Sequence, residues 1–581
     1  MAVQKLLDRE VSVPEAVVRV LEQAGIEYVF GMPGGGTGRI FNALYDHQSS
    51  IRSVLVREEG LGAVMADVYG RLTGKPGVVM GQAAFMLTNA GMGIVEGFLA
   101  GSPMLVLSDL SDNAPFSHHG PYQSGTADYG SWDAKGTIAG YTKQVFVARE
   151  GPQAVQQTQL AIKHALAGHR GPVAVLYHSA ALGASVGPDS TPRLYETAPY
   201  LAPSADSARQ TAPAARVAGV IRLLAAAQHP IIVAGNGVRI AGARAELRAL
   251  AEYLGTPVAT TASGKGVFPD THPLSLGVFG TFGLEAANAV VAEADFVLAV
   301  GTKLGPTDTA FENRQLLDPE RQTIVQVDVE PRHAAWTFPV QQAILGDAKA
   351  VLAQLLEAAK NSGQADSGWG SRRVAEAHES LGSWDVEASR SDETPIEPRR
   401  LIRELHLALP EDAIVTCDAG ENRLFMMHHF RTKGMLEYLQ PAAVGGMGYA
   451  VPAAMAAKLV YPDRPCVAVC GDGGFGIALN GILTAVEQRI PIVTVVLNNG
   501  HLGWVYHGQG EGRKIASDFG AGFDYAGIVR AMGAESIRVE RPELLGDALD
   551  KALKSERPIV LDVVTSMKPT FREVTSPLAA H

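Results

Sequence analysis

Gly471-Asp472-Gly473-Gly474 and Asn498-Asn499-Gly500-His501 are the residues of this 581-residue chain best equipped for chemistry. The first group follows the apolar run VAVC and the second closes the apolar run IVTVVL, with the helical pattern ILTAVEQ between them. That order describes one strand–helix–strand unit whose two strands end on polar residues. Open α/β sheets bind ligands outside the carboxyl ends of their strands, so Asp472 and Asn499 are expected side by side. One carboxylate and one amide oxygen make a hard-oxygen pair suited to Mg²⁺, with backbone carbonyl, water and phosphate oxygens completing the shell. The glycines let backbone N–H groups close on phosphate with no Cβ in the way. Taken singly, Gly-Asp-Gly and Asn-Asn-Gly are ordinary turns. Their placement at two strand ends, one crossover apart, argues for a site.

This GDG…NN spacing resembles the cofactor signature of the thiamine diphosphate enzymes of the acetolactate synthase and pyruvate decarboxylase superfamily. The resemblance implies that Asp472 and Asn499 ligate Mg²⁺ with the backbone carbonyl of His501, and that Gly471, Gly473, Gly474 and Leu502 contact the cofactor. It assigns Gly420, Glu421 and Asn422, in IVTCDAGENR, to the segment that helps hold the diphosphate. Gly445 and Met447, in GGMGY, fall where the family has a bulky apolar wedge beneath the cofactor, although a methionine taken alone is more often core filling.

Other elements must present the rest of the chemistry. Near the N-terminus the pattern predicts a helix over VSVPEAVVRVLEQAG, a strand EYVFG, a glycine turn from Met32 to Gly38, and a strand SVLVRE that delivers Glu58 and Glu59 to the start of a helix. Carboxylates are favoured at helix starts by the dipole, which accounts for both on structural grounds alone. The resemblance selects Glu59 as the carboxyl that protonates the aminopyrimidine ring, a task suited to a buried acid. It also places Gly35 in the reaction centre, where N–H groups of the Gly34–Gly36 turn are expected to stabilise charge on a substrate oxygen.

The stretch GKPGVVMGQAAF…GSPMLVL can be laid over DRPCVAVCGDGGF…RIPIVTVVL, with Pro76 on Pro465 and Pro103 on Pro491. Two halves of the chain thus share a strand–helix–strand plan, as a duplicated α/β domain would. The first copy has Gln82-Ala83-Ala84 where the second has Gly471-Asp472-Gly473, so only the second is equipped to hold a metal. The expected fold class is α/β, with three doubly wound parallel-sheet domains: pyrimidine-binding at 1–185, central at 205–360, and diphosphate- and metal-binding at 390–570. Residues 186–212 and 361–395 have linker composition.

Features in all three domains bear on specificity. His118 and His119 read equally as a proton-handling pair or as surface histidines of a loop. Tyr129-Gly130-Ser131 align where acetolactate synthases carry Phe-Gln-Glu, which leaves Gln123 as the candidate substitute. Gly235-Asn236-Gly237 opens like a dinucleotide fingerprint, but Ile240 stands at the third glycine's place and weakens an NAD reading. Lys303-Leu304-Gly305-Pro306-Thr307 replaces the charged segment of flavin-binding relatives, which makes FAD doubtful. Gly508 stands where those enzymes narrow the acceptor site with tryptophan, and Trp504 where they carry methionine, so the pocket is expected to be more open near Gly508.

Composition limits the partners. A net charge of −11 with no basic cluster argues against nucleic acid and anionic membranes. The N-terminus lacks an apolar signal core, no run is suited to spanning a bilayer, and Cys417, Cys466 and Cys470 form neither a disulfide framework nor a zinc spacing, so a cytoplasmic protein is expected. The resemblance implies a homodimer or homotetramer acting on a small 2-oxo acid or acyloin, as a carboligase or decarboxylase with a divergent pocket. True acetolactate synthase is the alternative. An NAD-dependent dehydrogenase is disfavoured by Ile240, and a non-catalytic thiamine diphosphate-binding protein by the retained Glu59.

Overall fold

Apolar runs with both faces buried, such as Gly77–Gly81 and Val493–Asn498, form the central strands of parallel sheets covered on each side by helices. The computed structural model describes residues 3–112, 123–207, 210–363, 368–382, 384, 386–434, 436–520 and 522–579. Among these residues lie three six-stranded sheets in which every paired strand is parallel. Two compact units result: residues 1–208 carry the first sheet and residues 209–581 the other two.

In the first unit the sheet order is Arg52–Leu55, Tyr28–Gly31, Gly77–Gly81, Met104–Asp109, Pro172–Tyr177, Gln144–Ala148. In the C-terminal sheet it is Glu437–Leu439, Ile414–Cys417, Cys466–Gly471, Val493–Asn498, Ile559–Val564, Glu535–Val539. Numbered along the chain, both follow the order 2-1-3-4-6-5. The internal similarity around the paired prolines therefore extends to whole-sheet topology. The central sheet runs Ser275–Val278, Val258–Thr260, Pro230–Ala234, Phe296–Val300, Thr323–Asp328, Gln342–Leu345, the 3-2-1-4-5-6 order of a doubly wound dinucleotide fold.

Local signals place the helices. Val13–Gln23 starts after Ser12, whose Oγ accepts the Glu15 N–H at 3.3 Å, and carries Pro14 in its first turn. It begins two residues later than its pattern predicts because Val11–Ser12 pairs antiparallel with Ser185–Val186. Glu59–Thr73 starts after Glu58, whose Oε2 accepts the Leu61 N–H at 3.2 Å, and stops at Gly74 in the left-handed conformation.

The two stretches of linker composition are not bare linkers. Residues 186–212 contain the helix Ala198–Ser207, whose Ser204 Oγ donates to the Lys163 carbonyl at 3.1 Å. Residues 361–395 contain the helix Trp369–Leu381, which buries only Gly370, Val374 and Ala377. That i, i+4, i+7 stripe is one residue wide, and charge on the other faces masks it. No helix among the described residues is long and apolar enough to cross a membrane.

Candidate active site

A strand order of 2-1-3-4-6-5 reverses direction between its first and third strands, and the crevice outside their carboxyl ends is where such sheets bind ligands. In the C-terminal sheet those strands are Ile414–Cys417 and Cys466–Gly471. Gly420, Glu421 and Asn422 follow the first, and Gly471 to Gly474 follow the second. All of them line one cleft with Met447, Asn499, His501 and Leu502.

Asp472 ties the two strand ends together. Its Oδ1 accepts the Gly473 N–H at 2.9 Å, and its Oδ2 accepts the N–H groups of Asn499 and Gly500 at 3.1 and 2.6 Å. Burial outweighs these bonds and pushes the carboxyl up to about 6. Asn499 Oδ1 accepts the His501 N–H at 3.1 Å, and the Asn499 carbonyl oxygen lies 2.7 Å from His501 Nδ1, which closes the turn beside Asp472. Among the described residues no group of three or more His, Cys, Asp or Glu side chains is placed to hold a metal ion; the Asp472 carboxylate with the Asn499 amide suits a hard cation that keeps water or phosphate ligands.

Met447 is 37% exposed and lines the cleft, which removes the core-filling explanation for it. Gly445, at φ +76°, does not line the cleft; it bends the chain beside the Arg423 guanidinium. Asp418 was not apparent from sequence. Its Oδ1 accepts the N–H groups of Ala419 and Gly448 at 2.8 and 2.9 Å, and its Oδ2 accepts that of Ala450 at 3.0 Å. A Cβ on Gly474 would lie 2.8 Å from Asp418 Oδ1, so this buried side chain fixes the Met447 turn against the Gly471–Gly474 segment. Its one sequence signal is its place directly after an apolar strand.

In the first unit, Glu59 opens its helix with 7% exposure, and its Oε2 accepts the Asn89 Nδ2–H at 3.1 Å. Glu58 is spent on capping, and burial raises its carboxyl above the ordinary range. Gly35 has φ +51°, and a Cβ there would lie 2.9 Å from both Asp109 Oδ2 and Gln82 Cγ, so only glycine fits. The Gly36 N–H donates to Asp109 Oδ2 at 3.1 Å. Of the N–H groups expected to face a substrate oxygen from this turn, that of Gly36 is already taken. Asp109, also unforeseen, accepts in addition from Ala83 N–H, Ser111 N–H and Ser111 Oγ–H at 3.2, 3.0 and 3.2 Å. Gln82 and Asp109 thus fill the crevice that the second copy leaves open.

His118 and His119 lie outside the described residues. Gln123 adopts φ +62°, and its buried Oε1 has no hydrogen-bond partner among the described residues. Tyr129 is exposed in a turn. Gly508 is exposed, does not line the cleft, and a Cβ there would meet nothing within 4 Å. Trp504 lines the cleft and stacks on Phe571, with ring centroids 5.4 Å apart.

The dinucleotide-like turn of the central domain has an internal explanation. Cβ atoms on Gly235 and Gly237 would lie 2.4 and 2.6 Å from backbone atoms of Gly301, so these glycines permit one turn to pack on another. Arg239 fills the adjoining space, with Nη2 donating to the carbonyls of Lys265 and Tyr438 at 2.7 and 3.0 Å. Farther along, Lys303 Nζ lies 6.0 Å above the Trp336 ring.

Comparison with known proteins agrees with this geometry. Residues 11–128 match the thiamine pyrophosphate enzyme N-terminal TPP binding domain, 217–355 the central domain, and 418–563 the C-terminal TPP binding domain. A probable acetolactate synthase large subunit of Methanocaldococcus jannaschii is 30% identical, covering 95% of this chain and 91% of that one. Acetolactate synthase isozyme 3 large subunit of Escherichia coli is 28% identical over 94% of this chain and 92% of its own. Sulfoacetaldehyde acetyltransferase of Castellaniella defragrans is also 28% identical, over 94% of this chain and 91% of its own. With three matched domains in order and a relative similar along nearly its full length, the chain belongs to the thiamine pyrophosphate enzymes and is like the acetolactate synthase large subunits among them.

Proposed function

We propose that this protein is a thiamine diphosphate- and Mg²⁺-dependent enzyme that forms or cleaves carbon–carbon bonds of small 2-oxo acids or acyloins, with a pocket unlike that of acetolactate synthase. The observation that carries the proposal is the single cleft at the C-terminal switch point, where Gly420 to Asn422, Met447, Gly471 to Gly474 and Asn499 meet.

In this reading Asp472, Asn499 and the His501 carbonyl would hold the cation, and the Gly471–Gly474 segment, whose Gly473 N–H is given to Asp472 Oδ1, would offer its remaining N–H groups to the diphosphate. Met447, which lines the cleft, would give the cofactor an apolar support. Thiamine diphosphate, when bound, supplies a carbon nucleophile that adds to a carbonyl and accepts the electrons of the bond that breaks. Glu59 holds and passes the proton exchanged with the aminopyrimidine, and Asn89 fixes its Oε2. The apolar walls of Phe425 and Trp504 exclude water from the reacting carbon. With the Gly36 N–H committed to Asp109, charge on the substrate oxygen falls to other donors; Gln123 is the candidate through its side-chain amide N–H, since its buried Oε1, unpartnered among the described residues, only accepts. The central domain is assigned no flavin or nicotinamide, and the working species is a homodimer or homotetramer.

Supporting a broader substrate class than pyruvate alone, an acetolactate synthase and a sulfoacetaldehyde acetyltransferase stand at the same 28% identity to this chain. The deciding experiment measures CO₂ release and product identity with thiamine diphosphate and Mg²⁺ across pyruvate, longer and aromatic 2-oxo acids, with Glu59→Gln as control. Aldehydes or mixed acyloins from larger substrates, lost in the variant, support the proposal. Acetolactate from pyruvate alone supports the second reading, a true acetolactate synthase. Inertness toward every 2-oxo acid and acyloin defeats both.

A further inference from the structure

His507 and Glu421 meet at the cleft in a contact that none of the assignments above uses. His507 Nε2 lies 3.0 Å from the Met567 carbonyl oxygen, and His507 Nδ1 lies 2.7 Å from Glu421 Oε1. A carbonyl oxygen only accepts, so Nε2 carries a proton. Glu421 Oε1 also accepts the Phe571 N–H at 2.9 Å, so this oxygen faces two nitrogens. The Nδ1–Oε1 contact needs a further proton, carried by the imidazole or by the carboxyl. In either form the pair is net neutral.

Burial gives this accounting its weight. The two side chains are 10% and 7% exposed. The other carboxylate oxygen faces Gly503, where a Cβ would lie 2.5 Å from Glu421 Oε2, so the side chain has no room to swing away. A bare carboxylate fixed at the wall of a cleft that takes an anion would oppose its own ligand. The imidazole cancels that charge at hydrogen-bond distance. The same contact fastens the segment from Met567 to Phe571, which Trp504 grips from its other side by stacking on Phe571 at an interplanar angle of 14°.

We propose that His507 is a positioning residue of the cofactor cleft: with Glu421 it forms a net-neutral, proton-sharing latch that holds the Met567–Phe571 segment along the cleft and removes a negative charge that would weaken diphosphate binding. The inference rests on the assignment of thiamine diphosphate to this cleft.

The test is calorimetric affinity for thiamine diphosphate, with Mg²⁺, in the full chain as wild type, His507→Gln and Glu421→Gln/His507→Gln, beside the unfolding temperature of each. Glutamine at 507 supplies no extra proton and leaves the carboxylate bare, so affinity falls about 10- to 100-fold. Removing the carboxylate as well recovers most of that loss, although the latch is broken in both variants. A purely structural role gives the opposite order, with the double variant no tighter than the single one, and overturns the proposal. Wild-type affinity in His507→Gln overturns it too. Should His507→Gln fail to fold, the double variant decides: folded and cofactor-binding it supports charge cancellation, and unfolded it refutes it. A wild-type protein that binds no thiamine diphosphate defeats the cofactor assignment itself, a result distinct from any of these.

Discussion

The carboxylate of Asp109 accepts the backbone N–H of Gly36 at 3.1 Å, and so holds the glycine turn to the end of the strand Met104–Asp109. Because Ala83 and Ser111 donate to the same side chain, Asp109→Ala strips an acceptor from three backbone N–H groups at once. Each buried donor left unpaired costs about 1–3 kcal/mol. Urea unfolding should show a loss of about 3 kcal/mol or more, with Asp109→Asn falling between the two because its amide keeps one accepting oxygen. A midpoint equal to wild type for Asp109→Ala would show that water or local rearrangement serves these donors equally well.

Gly237 and Gly508 should respond in opposite ways to the same added methyl group. At Gly237 a Cβ would lie 2.6 Å from the Gly301 Cα, and backbone cannot move aside cheaply. Gly237→Ala is expected to cost about 1–3 kcal/mol, read as a lower unfolding temperature. At Gly508 nothing stands within 4 Å, so Gly508→Ala should stay within about 0.5 kcal/mol of wild type.

The parts of this architecture that sequence exposes are local. Asp472 and Asn499 sit at the ends of two apolar strands a single crossover apart, and the paired prolines mark the duplicated sheets without reference to any distant contact. What sequence hides depends on partners far along the chain. Asp418 finds Gly448 30 residues away, Asp109 finds Gly36 across 73, and His507 finds Glu421 across 86. Nothing in the neighbourhood of an isolated acid or histidine reports such a partner. The helix Trp369–Leu381 escaped for a different reason, since three small or apolar residues among charges give too weak a period.

Two histidines should tilt stability in opposite directions with pH. Burial, with a further push from the Lys265 charge, lowers His428 from the ordinary 6.5 to about 4. The unfolded chain therefore binds the proton more readily, and the stability His428 contributes is full above pH 6.5 and is lost as pH falls toward 4, amounting to about 3 kcal/mol. His47 is the reverse case: its ring nitrogens face Glu15 and Glu22 at 3.0 and 2.9 Å, and these bonds outweigh desolvation and raise it. Its contribution is full below pH 6.5 and disappears as pH rises through the raised value. Denaturation between pH 4.5 and 8.5 should show the acid-side decline flattened in His428→Phe and the alkaline-side decline flattened in His47→Gln. Unchanged slopes in both variants would assign the pH dependence to other groups.

Removing the cation should separate the fold from the site. A ligand bound only to the folded state at a hundred times its dissociation constant stabilises by about 2.7 kcal/mol. Mg²⁺ with thiamine diphosphate is therefore expected to raise the unfolding temperature of the wild type, and EDTA to return it to the ligand-free value. In Asp472→Asn the amide has one accepting oxygen for the three N–H groups of Gly473, Asn499 and Gly500, so some intrinsic stability is lost. The sharper readout is the ligand-induced increment, which should vanish in the variant whatever its starting temperature, because the carboxylate that draws the cation is gone. An increment of wild-type size in Asp472→Asn would move the metal away from the Gly471–Gly474 segment, and with it the polarity by which the diphosphate is held in this cleft.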